Sequence, residues 1–183
     1  LRRSHRWMLP PSLNLGVEVA DRNPRQAPAI LVTDGREIVR TVTFGELSDS
    51  SGRLANVLAA MGTAPGDRIA IVLSQRPETA IAHAAAYKLG AIAVPLSTAF
   101  GPDALDVRLR DAEPRVVLGE PESLERVRAL GYDGPLIDVD RDLGPLLAAA
   151  SPVFEPAVTT PDTPALLVYT SGTTGPPKGA LHG

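Results

Sequence analysis

Apolar residues follow two alternating patterns along the chain. The run 69–73 (IAIVL) is short and wholly apolar, which is typical of a strand buried on both faces of a parallel sheet. Between residues 44 and 62 the apolar positions recur instead at helical spacing, at Leu47, Leu54, Val57, Leu58 and Met61. Gly62 follows the last of them, where a glycine commonly ends a helix. The pattern therefore predicts strands and helices in turn.

The alternation continues to the end of the chain. Predicted strands cover 69–73, 91–97, 115–119, 135–140 and 165–170, and predicted helices cover 44–62, 76–90, 101–114, 121–131 and 143–150. Repeated β-α-β units of this kind predict an α/β layered domain with a mainly parallel sheet.

A hairpin is predicted before the first helix. Asp34 and Gly35 separate two β-prone runs, 29–33 and 38–43, and an Asp-Gly pair suits a two-residue turn in which both positions take positive φ. We divide the chain into an N-terminal segment (1–28), the hairpin plus βα units (29–150), a connector rich in Pro and Thr (151–165), and a strand with a loop (166–183).

Composition and charge exclude several classes of function. The 183 residues carry a net charge of −3, which gives no basic footprint for nucleic acid. The absence of cysteine rules out disulfides, thiolate catalysis and Cys-ligated zinc within this chain, and it fits a reducing cytoplasm. No apolar run reaches the roughly 18 residues of a membrane span. We therefore expect a globular, cytoplasmic protein without a membrane span.

The strongest chemical signal is the glycine-rich loop, residues 170–179 (TSGTTGPPKG). Glycine lets a backbone approach a ligand closely, and successive N–H groups can then form an anion-binding concavity. Hydroxyl groups can donate to phosphate oxygens, and Lys178 adds a point charge beside them. The glycines are Gly172, Gly175 and Gly179, and the hydroxyl residues are Thr170, Ser171, Thr173 and Thr174. This composition predicts a polyphosphate site at the carboxyl end of a strand.

The loop differs from the Walker A pattern, in which a hydroxyl residue follows Gly-Lys. Lys178 lies between Pro177 and Gly179, and no hydroxyl follows it. The residue that would hold Mg²⁺ in a P-loop NTPase is therefore missing.

The segment YTSGTTGPPKG (169–179) resembles the signature loop of the acyl-adenylate-forming, or AMP-binding, superfamily. VTFGEL (42–47) and YKLGAIAVPLS (87–97) are similar to two earlier motifs of that superfamily, and they occur in the expected order. LNLGVEVADRNP (13–24) and PLSTAFGPDALDVRL (95–109) are similar to acetate- and medium-chain-type acyl-CoA synthetases. The resemblance covers most of the chain but only the front part of the superfamily's pattern.

The resemblance implies an ATP-dependent carboxylate–CoA ligase that forms an acyl-adenylate and then a thioester. Its substrates would be a short- or medium-chain carboxylic acid, ATP and coenzyme A, with Mg²⁺. By motif match, the residues that hold the β- and γ-phosphates are Thr170, Ser171, Gly172, Thr173, Thr174, Gly175 and Lys178. The same resemblance implies the fold of the large N-terminal domain of adenylate-forming enzymes.

Relatives bind adenine, ribose and magnesium through segments that we expect beyond residue 183, together with a C-terminal domain. We therefore interpret the chain as an N-terminal fragment without a complete set of catalytic residues. We expect that the isolated chain does not adenylate a carboxylate. We also expect it to self-associate, because a truncated sheet exposes apolar surface or an edge strand. Two alternatives stay open: an adenylating enzyme that does not use CoA, such as a peptide-synthetase adenylation domain, and a non-catalytic module that binds phosphate or a partner.

Other candidate residues favour ordinary structural roles. Asp138, Asp140 and Asp142 alternate as at the start of a calcium loop, but the twelfth position is Ala149 instead of Glu, so we predict no metal site. His83 is interpreted as a packed helix residue, and His182 as a helix-start or packing residue that lies near enough to the loop to approach a ligand.

Overall fold

A computed structural model describes residues 8–170 and 177–183. A single π-helical turn, Val17–Asp21, precedes the regular elements. These elements are β1 (Pro28–Thr33), β2 (Ile38–Thr43), α1 (Phe44–Ala60), β3 (Arg68–Val72), α2 (Pro77–Leu89), β4 (Ile92–Pro95), α3 (Pro102–Ala112), β5 (Val116–Gly119), α4 (Pro121–Ala129), β6 (Leu136–Asp138), α5 (Leu143–Ala149), β7 (Leu166–Thr170) and β8 (Lys178–His182). Every predicted strand and helix is present, and β8 is an additional strand that the pattern did not predict.

The main sheet has six strands in the order β6-β5-β3-β4-β7-β8. β3 to β7 pair in parallel, and only β8 runs antiparallel to its neighbour β7. The chain adds β4 on one side of β3 and then β5 and β6 on the other. Because such crossovers keep one hand, this reversal places helices on both faces of the sheet. The predicted α/β class with a mainly parallel sheet is confirmed.

Two apolar clusters fill the space between the sheet and its helices. Ile69 and Ile71 of β3 face α1, α2 and α5, whereas Ala70 and Val72 face α3 and α4. Successive side chains of a strand point to opposite faces, so a strand covered on both sides must be apolar at every position. This double burial explains the uninterrupted apolar run that predicted β3.

Local signals define the ends of the helices. Thr43 and Glu46 form a reciprocal capping box at the start of α1: Glu46 N donates to Thr43 Oγ1 (3.2 Å) and Thr43 N donates to Glu46 Oε2 (2.7 Å). α2, α3 and α4 each begin with proline, whose fixed φ suits the first helical position. Gly90 ends α2 with a φ of 69°, a left-handed conformation that glycine adopts without strain.

The turn between β1 and β2 lies one residue further along than predicted. Asp34 N donates to Glu37 O (3.3 Å), so the central positions are Gly35 and Arg36, and only Gly35 has a positive φ, at 92°. The Asp34 carboxylate accepts from the backbone N–H groups of Arg36 (2.8 Å) and Glu37 (3.0 Å). Asp34 therefore holds the turn from its first position as an Asx-type acceptor, and these hydrogen bonds lower the pKa of its carboxyl.

Candidate functional site

The glycine-rich loop leaves the sheet at the carboxyl end of β7. Since β7 runs parallel to β4, β3, β5 and β6, the carboxyl ends of all five strands meet at one edge of the sheet. Ligands of open α/β sheets bind outside this edge. β7 is the predicted strand that leads into the loop, residues 171–176 of the loop lie outside the described residues, and the ligand stays a prediction.

β7 and β8 form the two arms that carry the loop. Thr170 at the end of β7 pairs with Lys178 at the start of β8, and Thr170 Oγ1 lies 3.5 Å from Lys178 O. Both side chains are exposed. The structure therefore places Thr170 and Lys178 opposite each other at the loop end of the hairpin, where cross-strand neighbours project from the same face of the sheet. The other predicted phosphate-binding residues, Ser171, Gly172, Thr173, Thr174 and Gly175, lie outside the described residues.

The base of this hairpin rests on α3 through the side chain of Tyr169. Tyr169 Oη donates to Asp111 Oδ2 over 2.6 Å, and the Arg108 guanidinium lies 5.7 Å from the centre of the Tyr169 ring. Burial, followed by the hydrogen bond to Asp111, raises the pKa of Tyr169. The sequence prediction missed Arg108 and Asp111. An arginine inside the apolar stripe of α3 was the available signal, because Arg108 shares a face with Leu105 and Leu109.

Arg76 occupies the other end of the same edge. It forms ion pairs with Glu78 (2.8 Å), Asp140 (2.8 Å) and Glu120 (3.8 Å), which lie at or after the carboxyl ends of β3, β6 and β5. Burial disfavours the charged guanidinium, but the hydrogen bonds to Glu78 and Asp140 outweigh it and raise the pKa of Arg76. The cluster ties these loops together and borders a polar cavity of about 460 Å³ that Arg126 also lines.

The aspartates after β6 serve as backbone acceptors and ion-pair partners. Asp138 Oδ1 accepts from the N–H groups of Asp140 and Arg141, and Asp142 Oδ2 accepts from the N–H of Asp138. Asp140 is held by Arg76. Within residues 8–170 and 177–183, no three potential ligands group to hold a metal ion. The donors described at the glycine-rich loop, a hydroxyl and an ammonium, suit an anion and not a cation.

The two described histidines differ in their relation to the loop. His83 lies in α2, as predicted, with Nδ1 3.1 Å from Tyr87 Oη, and burial lowers its pKa. His182 begins no helix: it lies in β8 opposite Leu166, four residues from Lys178 along the strand. At about 3.4 Å per residue it is at the far end of the hairpin, so its predicted approach to a loop ligand is wrong. His5 and Trp7 lie outside the described residues.

An apolar cavity of about 280 Å³ lies at the opposite edge of the sheet. Leu13, Tyr87, Thr159 and Ala165 are among the residues that line it, and Ala165 directly precedes β7. This cavity is therefore separated from the glycine-rich loop by the length of β7. In the part of the chain that the structure describes, no helix has the length and apolar character needed to cross a bilayer.

Comparison with known proteins identifies a family to which the chain is similar. Residues 17–183 match the family described as AMP-binding enzyme. The acetyl-coenzyme A synthetase of Syntrophobacter fumaroxidans is 30% identical over an alignment that covers 97% of this chain and 32% of that protein. The chain spans about a third of the length of the curated relatives it matches.

Solved structures agree in fold. The acyl-CoA synthetase of Brucella canis superposes with a TM-score of 0.82 at 28% identity, covering 93% of this chain and 33% of that one. ATP-bound MatB from Rhodopseudomonas palustris superposes with a TM-score of 0.77 at 31% identity, covering 92% of this chain and 34% of that one. These matches confirm the resemblance to the acyl-CoA synthetase branch, and because the family match extends over nearly the whole chain, the chain belongs to the AMP-binding enzyme family.

Proposed function

We propose that the protein carrying this chain is an ATP-dependent carboxylate–CoA ligase. In the first step a carboxylate oxygen attacks the α-phosphorus of ATP, the bond from that phosphorus to the bridging oxygen breaks, and pyrophosphate leaves. In the second step the thiol of CoA attacks the acyl carbon, AMP leaves, and the thiol proton passes to solvent. The first step joins two anions, so positioning and cationic or hydrogen-bonding groups must supply the acceleration.

The observation that carries the proposal is the pairing of Thr170 with Lys178 at the carboxyl edge of the sheet. In this proposal the ammonium of Lys178 and the hydroxyl of Thr170 contact the β- and γ-phosphates from the two arms of the hairpin. The ammonium would counter the charge that develops on the leaving pyrophosphate. Ser171, Gly172, Thr173, Thr174 and Gly175 complete the proposed phosphate contacts through their sequence motif.

The proposed substrates are a short- or medium-chain carboxylic acid, ATP and CoA, with a cytoplasmic site of action. The acetyl-coenzyme A synthetases among the relatives support a small acid, and the ATP-bound MatB structure supports ATP. Mg²⁺ is proposed as the companion of ATP, held by the nucleotide and by groups other than the described residues of this chain.

The test is an assay of the protein in its full natural length against acids from acetate to long-chain fatty acids. We expect acid-dependent ATP–pyrophosphate exchange and CoA-dependent thioester formation, with the highest kcat/KM at a short or medium chain length. Exchange without thioester formation would favour an adenylating enzyme that does not use CoA. No exchange with any acid, together with measurable ATP binding, would favour a non-catalytic phosphate-binding module.

A further inference from the structure

Arg108 is an unusual member of the apolar stripe on α3. Its residue surface is only 8% exposed, and it lies between the buried Leu105 and Leu109 on the same helix face. Burial of a charge is costly unless other groups compensate it. Arg108 Nη1 donates to Ala104 O over 2.6 Å, but among the described residues no carboxylate forms an ion pair with Arg108 and none accepts from its Nε.

Two aromatic rings lie near this guanidinium. The Arg108 Cζ atom lies 4.2 Å from the centre of the Phe100 ring and 5.7 Å from the centre of the Tyr169 ring. Both distances lie within the roughly 6 Å range at which a ring attracts a cation, and the attraction is stronger where water is excluded. Phe100 precedes α3 and Tyr169 belongs to β7, so Arg108 links the helix to the loop-bearing strand.

Tyr169 is the residue through which this link reaches both arms of the hairpin. It directly precedes Thr170, and it pairs across the sheet with Gly179, which directly follows Lys178. A β-carbon added to Gly179 would lie 3.4 Å from Tyr169 Cε1, so the ring packs closely against the second arm as well. The Tyr169 hydroxyl is fixed at its other end by Asp111 (2.6 Å).

We propose that Arg108 is a positioning residue for the β7–β8 hairpin: its guanidinium, within cation–ring distance of Phe100 and Tyr169, fixes the part of the hairpin that presents Thr170 and Lys178. This proposal rests on the proposed function, in which Thr170 and Lys178 contact the phosphates of ATP. Arg108 acts through the Tyr169 ring and does not itself contact ATP. Loss of the guanidinium lets the ring shift, which changes the spacing of the two arms and weakens their joint grip on the phosphates.

The first test compares Arg108→Met with Arg110→Met in the full-length protein. Arg110 lies on the same helix but is exposed and pairs with Asp106, which makes it a matched control. We expect Arg108→Met to raise the KM for ATP about tenfold with little change in the KM for the acid, the size of effect that a desolvated cation–ring contact supports. Arg110→Met should leave both values within about twofold. Equal changes in both KM values, or a fall in kcat alone, would overturn the proposal.

A double-mutant cycle separates positioning from general destabilisation. Tyr169→Leu should raise the KM for ATP at least as much, because it also removes the hydrogen bond to Asp111. The Arg108→Met/Tyr169→Leu double variant should be no worse than Tyr169→Leu alone, because that substitution has already removed the contact with Arg108. If the two fold-changes in the KM for ATP multiply in the double variant, the residues act independently, and this result would contradict the proposal. Arg108→Lys retains the cation but lacks the planar face, and we expect a KM for ATP between those of the wild type and Arg108→Met.

Amide hydrogen exchange without any ligand gives a readout that does not depend on catalysis. Arg108→Met should speed exchange in peptides covering β7 and β8, with exchange in β5 and β6 unchanged. Unchanged exchange in β7 and β8 would refute the positioning role. If the wild type shows no acid-dependent pyrophosphate exchange, the proposed function fails, while this measurement still decides whether Arg108 fixes the hairpin.

Discussion

Lys88 and Asp21 form the most deeply buried ion pair in the described part of the chain. Lys88 Nζ lies 2.7 Å from Asp21 Oδ1 and also donates to Ser48 O over 3.0 Å, and its side chain is only 4% exposed. Asp21 differs: its side chain is 29% exposed, and the Ser48 hydroxyl donates to it over 2.6 Å. The two halves of the pair should therefore respond unequally to removal of the partner.

The two variants should lose different amounts of unfolding free energy, because each leaves a different charge without its partner. Asp21→Ala leaves a buried ammonium with one neutral acceptor, and breaking a buried pair in this way costs about 3–5 kcal/mol. Because some water reaches the position of Asp21, we expect the lower end, about 3 kcal/mol of unfolding free energy. Lys88→Met retains most of the buried stem and leaves Asp21 with Ser48 and water, so its cost should be about 1 kcal/mol.

Urea denaturation of the 183-residue chain, followed by far-UV circular dichroism, measures both variants. The expected order of stability is wild type, then Lys88→Met, then Asp21→Ala, with similar m-values. A Lys88→Met variant as unstable as Asp21→Ala would refute the reasoning, because the stranded buried ammonium would then carry no special cost.

Three further predictions concern pH, helix capping and assembly. Burial lowers the pKa of His83 below its unfolded value of 6.5, so on acidification the imidazole takes up its proton in the unfolded chain before it does in the folded chain. The free energy of unfolding should therefore fall as pH drops through 6.5, and a His83→Gln variant should show a shallower decline in urea titrations at pH 5 to 7. Thr43→Ala should cost about 1 kcal/mol through loss of the capping box at α1, whereas Thr43→Ser should cost little in the same titrations. Leu181 on β8 is 55% exposed, so light scattering should detect self-association of the 183-residue chain that Leu181→Lys reduces; a monomer at high concentration would contradict this.

The sequence was sufficient for the elements because their signals are local. Double burial makes β3 apolar at every position after Arg68, and glycine at 90 or proline at 77 marks a helix end within a few residues. The glycine-rich loop was found for the same reason: its chemistry is contained in ten consecutive residues. Its position at the carboxyl edge followed from the strand immediately before it.

The remaining features depend on contacts between distant segments. Arg108 and Tyr169 are 61 residues apart, so no periodicity in either segment indicates that the Tyr169 ring lies near the Arg108 guanidinium. β8 has no strong strand pattern of its own, and it is a strand through its pairing with β7. The error in the predicted turn at Asp34 has a different cause. An aspartate can occupy a central position of a turn, or it can precede the centre and accept hydrogen bonds from the turn's backbone, and the sequence alone favours neither.

The central claim is that the hairpin carrying Thr170 and Lys178 holds the phosphates of ATP. Acid-dependent ATP–pyrophosphate exchange by the full-length protein should be compared between wild type, Lys178→Met and the control His182→Gln at the far end of β8. Because Lys178 is exposed and not part of the core, the account predicts a loss of about 100-fold in kcat/KM for ATP with an unchanged Tm for Lys178→Met, and near wild-type exchange for His182→Gln. Full exchange activity in Lys178→Met would contradict the account.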